Sequence, residues 1–213
     1  MLQINDLTIF KSGQQLLELG QLAVGPGEIA TVMGPSGSGK STLLRWMLGE
    51  PLADFSCSGE LWLDQQRIDG LPIHRRQLGL MYQKGDLFPH MSVAENLQFA
   101  LPRSLSRQQA NIKVAEALEH VGLSDKLSAM PDQLSGGEQS RIALLRSLLA
   151  EPKAILLDEP FSALDTELRQ SIRSWTFAQL AQRQIPAVLV THDPEDICSD
   201  GPVVTLGGKK RND

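Results

Sequence analysis

The chain has 213 residues, a formal net charge of −5 and 41% hydrophobic residues. That suffices for one domain, or one domain with an inserted subdomain, to bury a full core without staples. The acidic balance argues against a broad basic surface for nucleic acid. Cys57 and Cys198 form neither a zinc pattern nor a disulfide framework, which suits a reducing compartment, and none of His74, His90, His120 and His192 pairs at metal-ligand spacing with another His or Cys.

The first residues, Met1 to Asp6, have no basic region followed by an apolar stretch, so no signal peptide is expected. No apolar run approaches the length of a membrane span. The expectation is a cytoplasmic chain that serves a membrane, if at all, through partners. Residues 1–33 alternate apolar and polar in short runs, Leu2 with Ile4 and Leu7 with Ile9, as strands of a small sheet do. Ile29 to Met33 is a short apolar run of strand type.

Directly after that run stand Gly34, Pro35, Ser36, Gly37, Ser38, Gly39, Lys40, Ser41 and Thr42, with the spacing G-x-x-x-x-G-K-[ST]. Glycines let the backbone curl so that several N–H groups point into one concavity that fits a polyphosphate. Lys40 would reach the β- and γ-phosphates, and Ser41 would offer its hydroxyl to Mg²⁺. Thr42 to Leu48 continues as a helix that Gly49 can end, and its positive end points at the anion. An ordinary Gly-Ser turn would have no use for Lys40 and Ser41 together.

Glu60 to Asp64 and Leu78 to Tyr82 read as further strands, the second ending at Gln83. From about Ser92 to Ala150 the signals are helical. Ser92 with Glu95 and Ser106 with Gln109 are capping-box patterns. The spacing places Ile112, Ala115, Leu118 and Val121 on one stripe before Gly122, and apolar spacing resumes through Ile142, Leu145, Leu148 and Leu149. This block is expected to be a helical insert over 87–153, between nucleotide-binding portions 1–86 and 154–213. Strands return at Ala154–Leu157, Ala187–Val190 and Val203–Leu206, with a helix over roughly Glu167 to Gln182. Strands alternating with helices around an early glycine loop predict an α/β fold with a mostly parallel sheet and ligand at the carboxyl ends of its strands. Lys209, Lys210 and Arg211 read as a solvated terminus.

The strand at 154–157 runs into Asp158, Glu159 and Pro160. Acids ending a buried strand are costly unless they have a partner or a task. Asp158 is placed to hold Mg²⁺, and Glu159 to polarise an attacking water; a helix-capping acid pair is the plainer alternative. Leu134, Ser135, Gly136, Gly137, Glu138 and Gln139 precede another helix. Ser135 with Glu138 is a capping box, but a cap needs no glycines inside it, and Gly136 and Gly137 admit another backbone or a phosphate.

With these residues in hand, the chain resembles the ATP-binding cassette family over nearly its whole length. Gly34–Thr42 is similar to its Walker A motif, Leu134–Gln139 to its signature motif, and Ala154–Pro160 to its Walker B segment with the catalytic glutamate. Phe161 to Asp165 resembles the D-loop, Gln83 the Q-loop glutamine and His192 the switch histidine. The resemblance implies a P-loop ATPase core with a small N-terminal antiparallel β-subdomain and an inserted helical subdomain. It implies ATP and Mg²⁺ as ligands, with Gln83 at Mg²⁺ or water and His192 at the γ-phosphate; a histidine that caps the next helix, begun by Asp193, Pro194 and Glu195, is the plainer reading of His192. Ser135, Gly136, Gly137, Glu138 and Asp165 would serve the nucleotide between subunits, Ser135 and Gly137 across to the opposite protomer. Hydrolysis would be phosphoryl transfer to water, catalysed by positioning and charge stabilisation.

Two departures stand out. Near the N-terminus, where the family carries an aromatic residue on adenine, Phe10 is the nearest aromatic; the spacing suits Lys11 as well, and Phe10 suits a core position. Leu144, Leu145, Arg146 and Ser147 stand where relatives show small residues, which reads as repacking. The resemblance further implies an ATPase that dimerises with itself or with a paired subunit, peripheral on the inner face of the membrane. Its partners would be transmembrane permease subunits and an extracytoplasmic solute-binding protein, without nucleic acid. Glu159–Asp165 resembles the same segment of importer ATPases, and Leu87–Val93 that of importers of small solutes and ions; in length and motifs the chain resembles the compact ATPases of thiamine-type or related small importers, and no C-terminal regulatory domain is expected after His192. An exporter or lipid-extraction ATPase, or a soluble cassette ATPase without transport, are the alternatives.

Overall fold

The computed structural model describes residues 1–83 and 86–207; the basic residues 209–211 lie outside the described part. Strands β1 (Leu2–Lys11), β2 (Gln14–Val24), β4 (Phe55–Leu63) and β5 (Gln66–Arg67) form an antiparallel sheet in the order β2-β1-β4-β5. Leu2 and Ile4 are buried, and so are Leu7 and Ile9. The phase of the alternation therefore flips between the two pairs. Asp6, at φ 48, supplies the extra residue, and the β1–β4 register shifts between Asn5 and Thr8.

A second sheet holds β6 (Leu78–Met81), β7 (Ala154–Asp158), β8 (Ala187–Thr191), β3 (Ile29–Met33) and β9 (Val203–Thr205), in that order. Each of its pairings is parallel. Such a sheet is covered on both faces, which explains why its strands are unbroken apolar runs. Ala154, Leu156, Val188 and Val190 join a core shared with the antiparallel sheet and helix α1 (Lys40–Leu48). Their neighbours Ile155, Leu157, Ala187 and Leu189 face the opposite core. That second core is completed by α3 (Val93–Ala100), α4 (Arg107–His120), α5 (Gly136–Leu149) and α6 (Thr166–Gln182). The short α2 (Ile73–Arg76) precedes β6.

No strand occurs among the described residues of 87–153. The capping boxes at Ser92 and Ser106 form as expected. The stripe on α4 does not: Ile112 is half exposed and Ala115 exposed, while Val114, Ala117, Leu118 and Val121 are buried. These follow i, i+3, i+4, i+7, whereas steps of three alone drift off the face of a 3.6-residue helix. Among the described residues no helix is long and apolar enough to cross a membrane.

The segment from Asp86 to Ser92 is fastened to the helical block. Buried Asn96 accepts from the Phe88 amide at 2.8 Å and donates to the carbonyls of Phe88, Met91 and Ser92. Arg146 stacks on the Phe88 ring at 5.0 Å and donates to the Asp86 carbonyl at 2.5 Å. The departure at 144–147 is thus more than repacking, because Arg146 clamps this segment.

Candidate functional site

Parallel register brings the site together. Met81 pairs with Leu157, Asp158 with Val190, and Met33 with Thr191. Glu159, His192 and Gly34, one residue past their strands, and Gln83, two past Met81, therefore leave four adjacent strands at one carboxyl edge. Glu159 is the centre of this edge. Gln83 Nε2 donates to its Oε2 at 2.9 Å, and His192 Nδ1 lies 3.0 Å from its Oε1. Glu159 has φ 48, uncommon for a residue with a side chain. Ser162 holds that geometry by donating its amide and hydroxyl to the Glu159 carbonyl, while the Glu159 amide donates to Val190.

The glycine loop fits a polyphosphate. Gly34, Gly37 and Gly39 all have positive φ, and a Cβ on Gly34 would stand 2.7 Å from Ser38 Oγ and 2.8 Å from the Leu206 carbonyl. Helix α1 starts at Gly39 without a side-chain cap and without an acid in its first turn, so its leading amides are left for an anion. Ser38 Oγ is buried without a partner among the described residues. Lys40 is buried and folds back, donating to the carbonyls of Gly34 at 2.7 Å and Pro35 at 3.1 Å. Orphaned donors, a cradle that side chains would fill and a lysine on main-chain acceptors are the donor set that a phosphate chain satisfies.

Asp158 ends β7 and is 7% exposed. Burial pushes its carboxyl above the usual range; the Ser41 hydroxyl pulls it down, Glu159 beside it adds to the rise, and Lys40 opposes it weakly. A buried acid beside a hydroxyl and a phosphate cradle suits Mg²⁺, whose charge would reverse that rise.

Among the described residues, no hydrogen bond joins 134–139 to this edge. Ser135 caps α5, with its amide donating to Glu138 Oε2 at 2.7 Å and its hydroxyl accepting from the Glu138 amide at 3.3 Å. The Ser135 amide holds the Glu138 carboxyl below its ordinary range. The capping-box reading is thus realised within this chain. The glycines remain distinctive: a Cβ on Gly136 would meet open space, and one on Gly137 would stand 3.1 Å from the Ala163 carbonyl. Asp165 caps α6, accepting from the Leu168 amide at 3.0 Å.

Sequence reasoning missed a network behind His192. Asp196, 1% exposed, accepts from Arg169 Nε at 3.0 Å and Nη2 at 2.5 Å, from Thr191 Oγ1 at 2.9 Å and from Arg173 at 3.4 Å. Arg169 also pairs with Asp193 at 2.7 Å, and the Asp193 amide donates to Thr191 Oγ1 at 3.1 Å. His192 thus stands between two residues anchored to α6. Its plainer reading is partly realised, but by its neighbour: Asp193 accepts from the Glu195 amide and caps the 3₁₀ turn Pro194–Asp196. The available signal was Arg169 and Arg173, one turn apart on a helix, with the acids Asp193, Glu195 and Asp196 following His192.

A cavity of about 380 Å³ adjoins the loop, with Lys11, Leu16 and Phe55 opposite Gly37, Gly39 and Lys40. Phe10 is not in its wall: it pairs with Ser56 and Gln15 and is half-buried.

Comparison with known proteins agrees with this geometry. The profile of the family described as "ABC transporter" matches residues 18–162. The uncharacterized ABC transporter ATP-binding protein YnjD of Escherichia coli (strain K12) is 45% identical over 212 residues, covering 100% of this chain and 98% of YnjD. The sulfate/thiosulfate import ATP-binding protein CysA of Gloeobacter violaceus is 38% identical over 192 residues. That match covers 90% of this chain but only 55% of CysA. Among solved structures, the dimeric post-hydrolysis state of the ATP-binding cassette MJ0796, bound to ADP and Pi, superposes with a TM-score of 0.82 at 28% identity. It covers 97% of this chain and 94% of that one.

Proposed function

The chain belongs to the ABC transporter family as an ATP-binding subunit, and from that premise we propose that it hydrolyses ATP to drive solute import through partner membrane subunits. The observation that carries the catalytic part is the Glu159 carboxylate, held at 2.9 Å by Gln83 and 3.0 Å by His192 at the edge that bears the glycine cradle. Import is supported by the likeness to CysA, a sulfate/thiosulfate import ATP-binding protein of which this chain matches about half.

In this reading the amides of Gly37 to Thr42 and the Lys40 ammonium bind the β- and γ-phosphates, with Lys40 leaving the carbonyls of Gly34 and Pro35. Ser41, Asp158 and Gln83 would hold Mg²⁺, which would supply neutralisation of charge on the phosphate oxygens. Glu159 accepts the proton of the attacking water, and His192 moves from Glu159 to the γ-phosphate. Gln83 and His192 each engage one Glu159 oxygen. Ser135, Gly136, Gly137 and Glu138 serve the nucleotide of a second copy, since Ser135 and Gly136 are exposed and lie outside the cavity beside the loop. The dimeric state of MJ0796 supports the same assembly.

The same reading treats 1–86 and 154–213 as the nucleotide-binding core and 87–153 as the insert. Asp165 lies at the subunit boundary, and the chain sits peripherally on the inner membrane face beside permease subunits and an extracytoplasmic binding protein. The test is Glu159→Gln. It should bind ATP, lose nearly all turnover and accumulate as a dimer in size-exclusion chromatography with light scattering. Full turnover by a monomer in ATP and Mg²⁺ would sink the mechanism. Co-purification with a permease and an extracytoplasmic binding protein tests import.

A further inference from the structure

A cavity of about 500 Å³ lies between α4 and α6, with the end of α5 as its floor. It shares no lining residue with the glycine loop or with Gln83, Asp158, Glu159 and His192. Its size is ordinary for a small-molecule site. Leu145, Leu148, Leu149 and Ile185 are buried and make the floor apolar. The walls run from Lys113 to His120 on α4 and from Trp175 to Arg183 along α6, about 10–12 Å at the rise of a helix.

The two ends of the cavity differ. At one end the His120 ring centroid lies 5.6 Å from that of Trp175. Trp175 Nε1 is buried without a hydrogen-bond partner among the described residues. Buried indole N–H groups ordinarily have an acceptor, and one left unpaired is costly. At the other end Lys113 bonds Glu151 at 2.8 Å, and Arg183 donates to the Leu148 carbonyl at 3.3 Å. Two cations against one carboxylate leave that end net positive, and a guanidinium with one bond to a carbonyl keeps further donors for an anion. Glu116, the other acid of the lining, is exposed on α4 between the two ends.

We infer that this cavity binds an elongated amphipathic carboxylate. Its carboxylate meets Arg183, its apolar body covers the leucines, and an oxygen at its far end accepts from Trp175 Nε1. An orphaned donor and a net positive end, separated by an apolar floor, are complementary to that distribution of polar groups. The site stands apart from the glycine loop, so its failure would leave the proposed function untouched.

Calorimetric titration of the full chain with ω-hydroxyoctanoate, octanoate and octanol tests this. The first probe carries both polar ends, and each of the others carries one. A single ω-hydroxyoctanoate should bind per chain, about three- to ten-fold tighter than octanoate, the worth of one neutral hydrogen bond. Octanol should bind about ten-fold or more weaker than ω-hydroxyoctanoate, since it lacks the charge-assisted bonds. Trp175→Phe should erase the difference between the two acids while octanoate binds as in wild type, which also shows that the variant is folded at the cavity. Arg183→Ala should weaken both acids by about ten-fold or more and leave octanol unchanged. In nuclear magnetic resonance spectra, the indole N–H signal that vanishes in Trp175→Phe should shift further with ω-hydroxyoctanoate than with octanoate. Equal affinity of the wild-type chain for the two acids would overturn the Trp175 contact. Acid affinity unaltered in Arg183→Ala would overturn the carboxylate site, and no uptake of any probe at about 10 mM would overturn the inference as a whole. So would a nucleotide-free dimer in light scattering that Gln179→Arg dissolves, because the cavity would then belong to a second copy of this chain.

Discussion

Replacing Asp196 should reveal how the His192 loop is held. Its carboxylate, 1% exposed, takes two bonds from Arg169, at 3.0 and 2.5 Å, and one from Thr191 at 2.9 Å. Removing one partner of a buried ion pair costs about 3–5 kcal/mol. Arg169 keeps Asp193 at 2.7 Å and is itself 16% exposed at the side chain. The expected cost of Asp196→Ala is therefore at the lower end, about 2–4 kcal/mol. Against a total stability of about 5–15 kcal/mol the variant still folds. For a chain of this size the loss lowers Tm by roughly 4–16 °C. Asp196→Asn retains two acceptor sites and should lose less.

The functional effect has a separate cause. Thr191 loses its buried acceptor, Asp193 loses the rigid neighbour of its own partner, and His192 between them is released from α6. At a temperature where the variants are folded, kcat for ATP hydrolysis should fall by at least ten-fold in Asp196→Ala, with ADP affinity unchanged because the glycine loop is untouched. Differential scanning calorimetry gives the first quantity, and steady-state phosphate release with ADP titration the second. A destabilised Asp196→Ala with wild-type kcat would refute the positioning argument. A variant more stable than wild type would refute the ion-pair argument, since it would mean that desolvation outweighs the bonds.

Three other outcomes follow from single groups. Burial raises the folded-state pKa of Asp158 above its unfolded value of 3.8. The favourable contribution is present below that value and lost as pH rises through the folded pKa. Asp158→Asn should therefore raise the Tm of the nucleotide-free chain at pH 7, with the gain vanishing in acid below pH 3.8, while Mg²⁺-dependent hydrolysis is lost; a lower Tm at pH 7 would contradict the desolvation account. Tyr82 is the only tyrosine, and burial followed by its hydrogen bond to Glu50 pushes its phenol up to about 12. Absorbance titration at 295 nm should show that midpoint, with stability lost as pH rises from the ordinary phenol value of 10.0 through it; a midpoint near 10 in folded protein would refute the contact. Ser135→Arg should abolish turnover while ADP binding by the monomer persists, and loss of ADP binding would show that Ser135 does not act across subunits.

Much of the local chemistry was legible in the chain. The G-x-x-x-x-G-K-S spacing, the caps at Ser92, Ser106 and Ser135, and the buried runs before Asp158 and His192 depend on residues within one turn or one strand of each other. Such neighbours are set by helix and strand periods before any packing exists. The same local logic misplaced the α4 stripe, because steps of three and of four differ by one position and only the facing surface chooses between them. Tertiary structure decided everything that joins distant segments. The order β6-β7-β8-β3 and its parallel register set Gln83 and His192 on either side of Glu159. Pairing of Lys11 with Phe55, and the alternation of a strand, put Phe55 rather than Phe10 at the loop. Arg169 and Asp196 met across 27 residues because α6 packs beneath the end of β8. Motif spacing is a property of the covalent chain, whereas which side chain meets which across a sheet is decided by register and by the face it presents.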